Sequence, residues 1–326
     1  MNFHLTFPVP TFKQKIDYSQ KFLFIGSCFA ENIADTMGHY KFNIKLNPHG
    51  VLYNPASMAV ALRRYIDNKA VQEHELFSAN ECWNSWEHHS RFSNTDKQTC
   101  LIEINNSINT AHNFIKQTDW LFITFGSAFI YKLNETNQLV GNCHKVPQKE
   151  FTKSLLNTNE IVADYQLLIE QLRAINNNLK IVFTVSPVRY IRDGAVENTL
   201  SKALLIQAVH KLVQQNHNAF YFPAYELMMD DLRDYRFYKT DLVHPNEQAI
   251  TYIFEKLMNI AFAEDTKQLF EKIKDVVTAQ QHRPFHTDTE AYKKFKDTYS
   301  TRCKQLQKDF PFLNLENETK NFEPQK

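Results

Sequence analysis

Glycine is scarce in this chain, which contains only six glycines among 326 residues. Neither a Gly-x-Gly-x-x-Gly stretch nor a Walker-type phosphate loop is present. Because both nucleotide-binding motifs depend on several closely spaced glycines, a cradle for nucleotide phosphates is not expected. We predict that the protein uses no cofactor.

An excess of charge of either sign is also missing. Lys and Arg number 37 against 36 Asp and Glu, which gives a formal net charge of +1. No field of the whole protein would therefore attract nucleic acid or an anionic membrane. We expect no nucleic acid and no membrane as partners, and instead a small-molecule substrate, either a carbohydrate or an acyl compound. The oligomeric state does not follow from the composition.

Long hydrophobic runs are absent as well. No stretch of about 18 apolar residues occurs, and residues 1–16 lack the basic and apolar regions of a secretory signal. The cysteines form no Cys-x-x-Cys pair and leave an odd count: Cys28, Cys82, Cys100, Cys143 and Cys303. Reduced thiols are therefore expected, and we predict a cytoplasmic location.

Four apolar runs have the length of buried strands, and helix-like stretches with apolar residues three and four apart lie between them. These runs are Phe22–Ile25, Trp120–Phe125, Ile181–Val185 and Ala219–Phe222. Strands that are apolar throughout and alternate with helices indicate a parallel, doubly wound α/β sheet. Reactive groups in such a sheet gather beyond the carboxyl ends of the strands.

The remaining segments suggest how the chain is divided. Residues 1–263 are expected to form one catalytic domain, closed by a helix over Asn246–Phe262 that Asn246 caps. Within it, the aromatic-rich segment 71–107 interrupts the alternation and is interpreted as a lid-like insertion. Residues 264–326 are more polar and predict a helical extension with a frayed tail.

Candidate nucleophiles stand at the turn that follows the first apolar run. Ser27 and Cys28 come directly after Gly26 and before a helix-like segment. The first N–H groups of a helix have no partner within it, so they stabilise an oxyanion in front of them. A helix start or a protonated histidine also lowers the pKa of a thiol, which favours Cys28, while Ser27 stays possible.

A second constellation lies more than two hundred residues further on. Asp241 and His244 are three positions apart, so one loop can carry a carboxylate that orients an imidazole. Together with the turn at Cys28, the pair suggests a nucleophile, a base and an orienting group.

Seven stretches carry a resemblance to a known family. They are FIGSCFAENIA, NPHGVLYNPASM, WEHHSRFS, NCHKVPQKEF, SPVRYIRDGAVENTLSKA, DYRFY and DLVHP. Over roughly residues 20 to 260 the chain resembles the GSCFA family, which is grouped with the SGNH (GDSL-like) hydrolase superfamily. This resemblance implies a flavodoxin-like three-layer α/β/α fold and ester hydrolysis or acyl transfer, without specifying a substrate.

The superfamily's first block, Gly-Asp-Ser, aligns with Gly26, Ser27 and Cys28, so the resemblance implies Cys28 at the nucleophile position. Its Asp-x-x-His block aligns with Asp241 and His244, implying His244 as the general base and Asp241 as its orienting carboxylate.

The oxyanion donors match only in part. Gly50 corresponds to the Gly of the second block, but the Asn of the third block is replaced by Ala128. Four residues are candidates for the missing donor, and the sequence does not choose among them: Ser127, Asn54, Asn142 and His144.

Further polar residues are expected near the mouth of the site. Arg91 and Arg189 could hold a carboxylate or phosphate of the substrate, and His89 could form part of a polar wall. A zinc site built from His88, His89 and Cys143 is a third possibility. It is not favoured because adjacent ligands lack the usual spacing, so no metal is expected.

These observations predict an SGNH-like acyl-hydrolase or acyltransferase that acts on an ester, acetyl ester or thioester. The alternative is a non-catalytic protein on the same scaffold that binds a small carbohydrate or acyl ligand.

Overall fold

A computed structural model describes residues 7–323. The strands are β1 (Lys21–Gly26), β2 (Asn43–Leu46), β3 (Leu76–Ala79), β4 (Cys82–Ser85), β5 (Trp120–Phe125), β6 (Phe129–Leu133), β7 (Leu139–Val140), β8 (Phe151–Leu155), β9 (Lys180–Val185) and β10 (Ala219–Phe222). The helices are α1 (Cys28–His39), α2 (Pro55–Asp67), α3 (Lys97–Ile115), α4 (Thr158–Ile175), α5 (Ala195–Gln215), α6 (Ala224–Glu226), α7 (Glu247–Ala261), α8 (Glu264–Gln280), α9 (Glu290–Asp309) and α10 (Glu316–Phe322). None of the helices within the described range combines the length and apolar character needed to cross a bilayer.

Five parallel strands form the central sheet, in the order β2-β1-β5-β9-β10. Numbered along the chain, this order is 2-1-3-4-5, which is that of flavodoxin-like doubly wound sheets. The predicted fold class is therefore confirmed. β2 was not predicted, because this edge strand has exposed or half-buried residues and so forms no apolar run.

The strands fill two hydrophobic layers, one on each face of the sheet. Phe22 and Phe24 pack with α1 and α7, whereas Leu23 and Ile25 pack with α2, α4 and α5. Neighbouring residues of a strand point to opposite faces, so a continuous apolar run serves both layers. The carboxyl ends of the strands then share one edge of the sheet.

The segment predicted as a lid-like insertion, 71–107, is two different structures. Its first part forms the β3–β4 hairpin, and residues from Lys97 onward belong to α3, whose Ala111 and Ile115 enter the layer of α2. A small core of Val71, Leu76 and residues of α3 joins the two parts. The segment 71–107 thus ends inside α3, a helix that packs on the sheet.

The carboxyl-terminal helices share a hydrophobic layer with α1 and α7, to which Phe270 of α8 and Phe322 of α10 both contribute. Within the predicted tail, residues 316–322 form α10, which buries Phe322 and pairs Glu318 with Lys41 at 2.6 Å. Residues 324–326 lie outside the described range. The division at residue 263 stays a prediction.

Candidate active site

The turn after β1 requires glycine at Gly26. Its φ is +148°, and a Cβ atom there would lie 2.4 Å from the carbonyl oxygen of Thr124 on β5. The Gly26 N–H donates to Asn47 Oδ1 at 2.9 Å, and the Ser27 N–H donates to the Thr124 carbonyl at 3.4 Å. Contacts on both sides thus fix the point at which α1 begins.

The two candidate nucleophiles differ in accessibility. Ser27 is 2% exposed, and its hydroxyl has no hydrogen-bond partner among the described residues. Cys28 is only partly buried and is the first residue of α1. Because a nucleophile must reach its substrate, Cys28 is better positioned than Ser27.

The Cys28 thiol experiences opposing electrostatic effects. Burial and then the Glu31 carboxylate raise its pKa, while the backbone N–H groups of Cys28 and Phe29 and the Lys202 ammonium lower it. The net effect is an increase, so burial outweighs the expected influence of the helix start. At neutral pH Cys28 is therefore a thiol, and its activation requires a base.

Lys202 on α5 is a buried lysine that the sequence analysis did not identify. It is 1% exposed, and its Nζ donates to the carbonyl oxygens of Gly126 and Ser186, each at 2.7 Å. These residues directly follow β5 and β9. Burial lowers the pKa of Lys202 to about 7, with Cys28 acting in the opposite direction. No sequence signal marks it, because a lysine in a helix is ordinarily exposed.

Asp241 and His244 are joined by a hydrogen bond of 2.8 Å between Asp241 Oδ2 and His244 Nδ1. Asp241 Oδ1 accepts from the backbone N–H groups of Val243 and His244. These backbone bonds, followed by the imidazole itself, lower the pKa of Asp241 to about 2. An ionised carboxylate only accepts, so Nδ1 carries the proton and Nε2 is left to act as a base.

The loop that carries this pair is connected to the loop after β9. The backbone N–H of Arg189 donates to the Val243 carbonyl at 3.3 Å. The guanidinium of Arg189 lies 5.7 Å from the centre of the Tyr238 ring. Within residues 7–323 no hydrogen bond joins the Cys28 sulfur to His244. The approach of these two groups stays a prediction, as does substrate binding by Arg189.

Gly50 does not supply a free oxyanion donor. Its N–H already donates to the Asn47 carbonyl at 2.7 Å. Its φ is +80°, and a Cβ atom would lie 2.1 Å from Cβ of His89. Glycine is needed here for a tight turn and close packing. The oxyanion role of Gly50 stays a prediction, which its occupied N–H does not favour.

Ser127 is occupied by the turn that follows β5. Its N–H donates to the Tyr53 carbonyl at 2.9 Å, and its hydroxyl accepts from the Phe129 N–H at 3.1 Å. The Ser201 hydroxyl lies 3.3 Å from the same oxygen. The predicted donor role of Ser127 is therefore not supported by its hydrogen bonds.

Asn54 differs from Ser127 because one of its polar groups is unused. Its Oδ1 caps α2 by accepting from the Ser57 N–H at 2.8 Å. Its Nδ2 has no hydrogen-bond partner within the described part of the chain. Asn54 therefore keeps an unused side-chain N–H, and its role as an oxyanion donor stays a prediction.

Asn142 and His144 belong instead to a network that holds the β3–β4 hairpin. Asn142 Nδ2 donates to Ser90 Oγ at 3.3 Å, and its Oδ1 accepts from the His144 N–H at 2.9 Å. His144 Nε2 donates to the Ser85 carbonyl at 2.9 Å, while Nδ1 lies 3.4 Å from Ser90 Oγ. Both residues are committed to this network, so neither is a free oxyanion donor.

His89 and Arg91 lie next to the turn that supports Gly26. Arg91 Nη2 donates to the Asn47 carbonyl at 2.5 Å, and His89 Nδ1 accepts from the Arg91 N–H at 3.2 Å. Burial and then Arg91 lower the pKa of His89, while Glu31 opposes them. Glu31 acts on Cys28 as well, which relates these residues to the candidate nucleophile. Their contact with a substrate stays a prediction.

The zinc ligands considered from the sequence are not gathered into one site. Among residues 7–323, one group of three potential ligands has all its ligand atoms within 4.8 Å of one another, and it consists of His49, Glu87 and His88. His89 and Cys143 do not belong to it. His49 was missed because it lies 38 positions before Glu87 in the chain.

Comparison with known proteins gives the following matches. A model described as the GSCFA family matches residues 21–257, and one described as the GSCFA domain protein, C-terminal domain, matches residues 273–325. No curated protein matches the chain.

Several solved structures are similar at low identity. A protein from Streptococcus pneumonia, provisionally named a platelet activating factor, is 13% identical, with a TM-score of 0.40 over 74% of this chain and 83% of its own. A carbohydrate esterase family 3 protein from Talaromyces cellulolyticus is 10% identical, with a TM-score of 0.34 over 78% and 99%. An acetyl esterase mutant is 11% identical, with a TM-score of 0.36 over 79% and 99%. At such TM-scores these similarities support no conclusion about function.

Proposed function

Because the chain belongs to the GSCFA family, whose model covers residues 21–257, we propose that it is an SGNH-like acyl-hydrolase or acyltransferase. Its substrate is an ester, acetyl ester or thioester of a small carbohydrate or acyl compound. Cys28 is the nucleophile, His244 the general base and Asp241 its orienting carboxylate. The observation that carries the proposal is the 2.8 Å bond that fixes the His244 tautomer and leaves Nε2 as the base.

In the first step the Cys28 sulfur bonds to the acyl carbon while its proton passes to His244 Nε2. Because burial raises the pKa of Cys28, this proton transfer is required rather than optional. Asp241 stabilises the imidazolium that forms. The step needs His244 within hydrogen-bond reach of the sulfur, which the loop of Asp241 and His244 must provide.

The tetrahedral intermediate carries a negative oxygen, for which three donors are candidates. The backbone N–H groups of Cys28 and Phe29 start α1, where a helix favours negative charge. The unused Nδ2 of Asn54 is the third. In this proposal these groups replace the Gly and Asn donors of the superfamily's second and third blocks.

The intermediate collapses when His244 returns its proton to the leaving oxygen or sulfur, which breaks the bond to the acyl carbon. An acyl thioester on Cys28 remains. Water, or the hydroxyl of an acceptor, then loses a proton to His244 and attacks this thioester. The acyl product leaves, and the Cys28 thiol is reprotonated, so no further reactant is consumed.

Lys202 supports this chemistry as a positioning residue. Its Nζ bonds hold the ends of β5 and β9 in place beside the end of β1. Its positive charge favours the thiolate of Cys28 over the thiol.

The proposal is tested with turnover of p-nitrophenyl acetate and acyl-CoA by wild type, His244→Ala and Cys28→Ala. Each substitution should lower kcat at least about 1,000-fold, because either one removes a member of a cooperating set. His217→Ala is the matched control, since this exposed histidine precedes β10 at the opposite edge of the sheet. Unchanged turnover in His244→Ala would refute the assignment of the base.

The identity of the nucleophile is tested separately by intact-mass measurement and peptide mapping. Iodoacetamide should modify Cys28 at pH 7 faster than Cys82, which is also partly buried, and His244→Ala should remove the difference. Modification of Ser27 by a fluorophosphonate, without any effect of Cys28→Ala on turnover, would transfer the role to Ser27.

Ligand binding without chemistry is a second candidate, favoured by the raised pKa of Cys28 and by the occupied N–H groups of Gly50 and Ser127. It predicts that Cys28 reacts with iodoacetamide only in alkaline solution and equally fast in His244→Ala. It also predicts no turnover of either acyl substrate by the wild type.

A further inference from the structure

We infer that His49, Glu87 and His88 form a binding site for a divalent transition metal of the zinc type, apart from the Cys28 chemistry. The ligand atoms of these three residues all lie within 4.8 Å of one another. Two imidazole nitrogens and one carboxylate are a donor set that suits zinc and similar metals. Calcium and magnesium, which prefer oxygen ligands, fit it poorly.

Two buried imidazole nitrogens in this group lack hydrogen-bond partners among the described residues. His49 is 1% exposed and His88 is fully buried, and the Nε2 atoms of both have no hydrogen-bond partner within residues 7–323. Buried polar atoms are almost always paired, so two unpaired ones on rings whose centroids are 4.0 Å apart need an explanation. A metal ion bound by both nitrogens would supply it.

Both rings also have a hydrogen-bond partner on their other nitrogen. His49 Nδ1 lies 2.6 Å from the Tyr65 hydroxyl, and His88 Nδ1 lies 2.8 Å from Ser85 Oγ. When each Nδ1–H donates to its hydroxyl oxygen, each Nε2 presents a lone pair. Metal-binding histidines are usually fixed in this way by a partner on the second nitrogen.

The carboxylate of Glu87 lies beside charged neighbours. Arg64 binds both oxygens of Glu87 but is also paired with Glu75. Glu75 therefore offsets part of the positive charge of Arg64 next to Glu87.

Metal binding requires a small rearrangement. Ligand atoms at about 2.1 Å from a tetrahedral ion lie roughly 3.4 Å apart, closer than the 4.8 Å limit found here. The imidazoles of His49 and His88 are stacked with centroids 4.0 Å apart, so they must turn for both lone pairs to converge. This movement would draw the loop of Glu87 and His88 toward the turn of His49.

The consequence of binding is structural. His49 follows Asn47, whose side chain accepts from the Gly26 N–H, and His88 follows the β3–β4 hairpin. A metal at this position would therefore fasten the hairpin to the turn that supports the candidate nucleophile.

The test uses the full chain, stripped with a chelator and then titrated with zinc or cobalt alone. We expect one ion per chain with a Kd below about 1 μM, and a cobalt absorption spectrum typical of nitrogen and oxygen ligands. His49→Ala and His88→Ala should each weaken binding at least about 100-fold. His74→Ala, an exposed histidine ahead of the hairpin, is the control and should bind as wild type does.

Two further variants keep the outcome interpretable. His88→Gln retains the volume and polarity of the side chain, so weak binding in this folded variant cannot be attributed to unfolding. Cys28→Ala should retain full binding, which separates failure of this inference from failure of the proposed function. Wild type that binds neither zinc nor cobalt, or His49→Ala and His88→Gln that bind as tightly as wild type, would overturn the inference.

Discussion

Replacing Lys202 with Met tests whether an ionisable amine lies buried at the carboxyl edge of the sheet. In the wild type Nζ donates to the carbonyls of Gly126 and Ser186, and no part of the side chain has appreciable contact with solvent. Met has a similar length but neither a charge nor an N–H. The substitution therefore removes both hydrogen bonds and the titrating group together.

The size of the effect follows from the pKa of Lys202, which burial lowers from 10.5 to about 7. Between these values the unfolded chain binds a proton that the folded chain does not. The folded state therefore gains stability as pH rises, by at most about 1.4 kcal/mol per pH unit. Below pH 7 both states are protonated, and this contribution becomes constant. From pH 6.5 to 9 the free energy of unfolding of the wild type should rise by about 2–3 kcal/mol relative to that of Lys202→Met.

Urea unfolding of both proteins at four values between pH 6.5 and 9 measures this difference. The comparison cancels other titrating groups, and restricting it to pH 9 limits ionisation of Cys28, whose pKa is raised. Lys202→Arg is the matched variant, because a guanidinium stays charged over this whole pH range. The free energies of unfolding of Lys202→Arg and Lys202→Met should therefore differ by the same amount at every pH. A stability difference between wild type and Lys202→Met that does not change with pH would refute the reasoning.

Three other predictions concern separate parts of the molecule. Gly26→Ala should lower the free energy of unfolding in urea by more than about 2 kcal/mol, because the added Cβ would collide with Thr124 of β5. Gly38→Ala is the control: Gly38 lies in α1 with open space around it, so this variant should be no less stable than wild type. Asp241→Asn should lower kcat at least about 100-fold with little change in KM, because the amide favours the wrong His tautomer; full activity would contradict the proposed role. Phe322→Ala should lower the free energy of unfolding by about 3 kcal/mol, because Phe322 is buried. Phe312 is 47% exposed, so Phe312→Ala should lower it by less than about 1 kcal/mol. Equal losses in the two variants would show that α10 does not pack as described.

Much of the fold could be predicted from the sequence because its signals are local. β1, β5, β9 and β10 are buried on both faces, so each forms a continuous apolar run. β2 was missed because it is a half-exposed edge strand, and α3 because it buries only one narrow stripe and is mostly polar elsewhere. The cap of α7 at Asn246 was predicted correctly and is made by its Oδ1 and the Ala249 N–H.

The sequence by itself determined the features that depend on neighbours in the chain. Gly26 and Cys28 lie where a strand passes into a helix, and Asp241 and His244 are close enough in one loop to form their hydrogen bond. These arrangements need only the local geometry of the backbone and the reach of a side chain.

Only the tertiary structure decided the features that depend on burial and on distant partners. Lys202 is buried, with a lowered pKa, because the fold brings the carbonyl oxygens of Gly126 and Ser186 to its ammonium group. Gly126 is 76 residues away in the chain. His49 meets Glu87 and His88 because the hairpin packs on the turn after β2, and that same packing leaves no room beside Gly50. The surroundings of a polar group, which set its pKa and its free hydrogen bonds, arise from packing that no short stretch of sequence encodes.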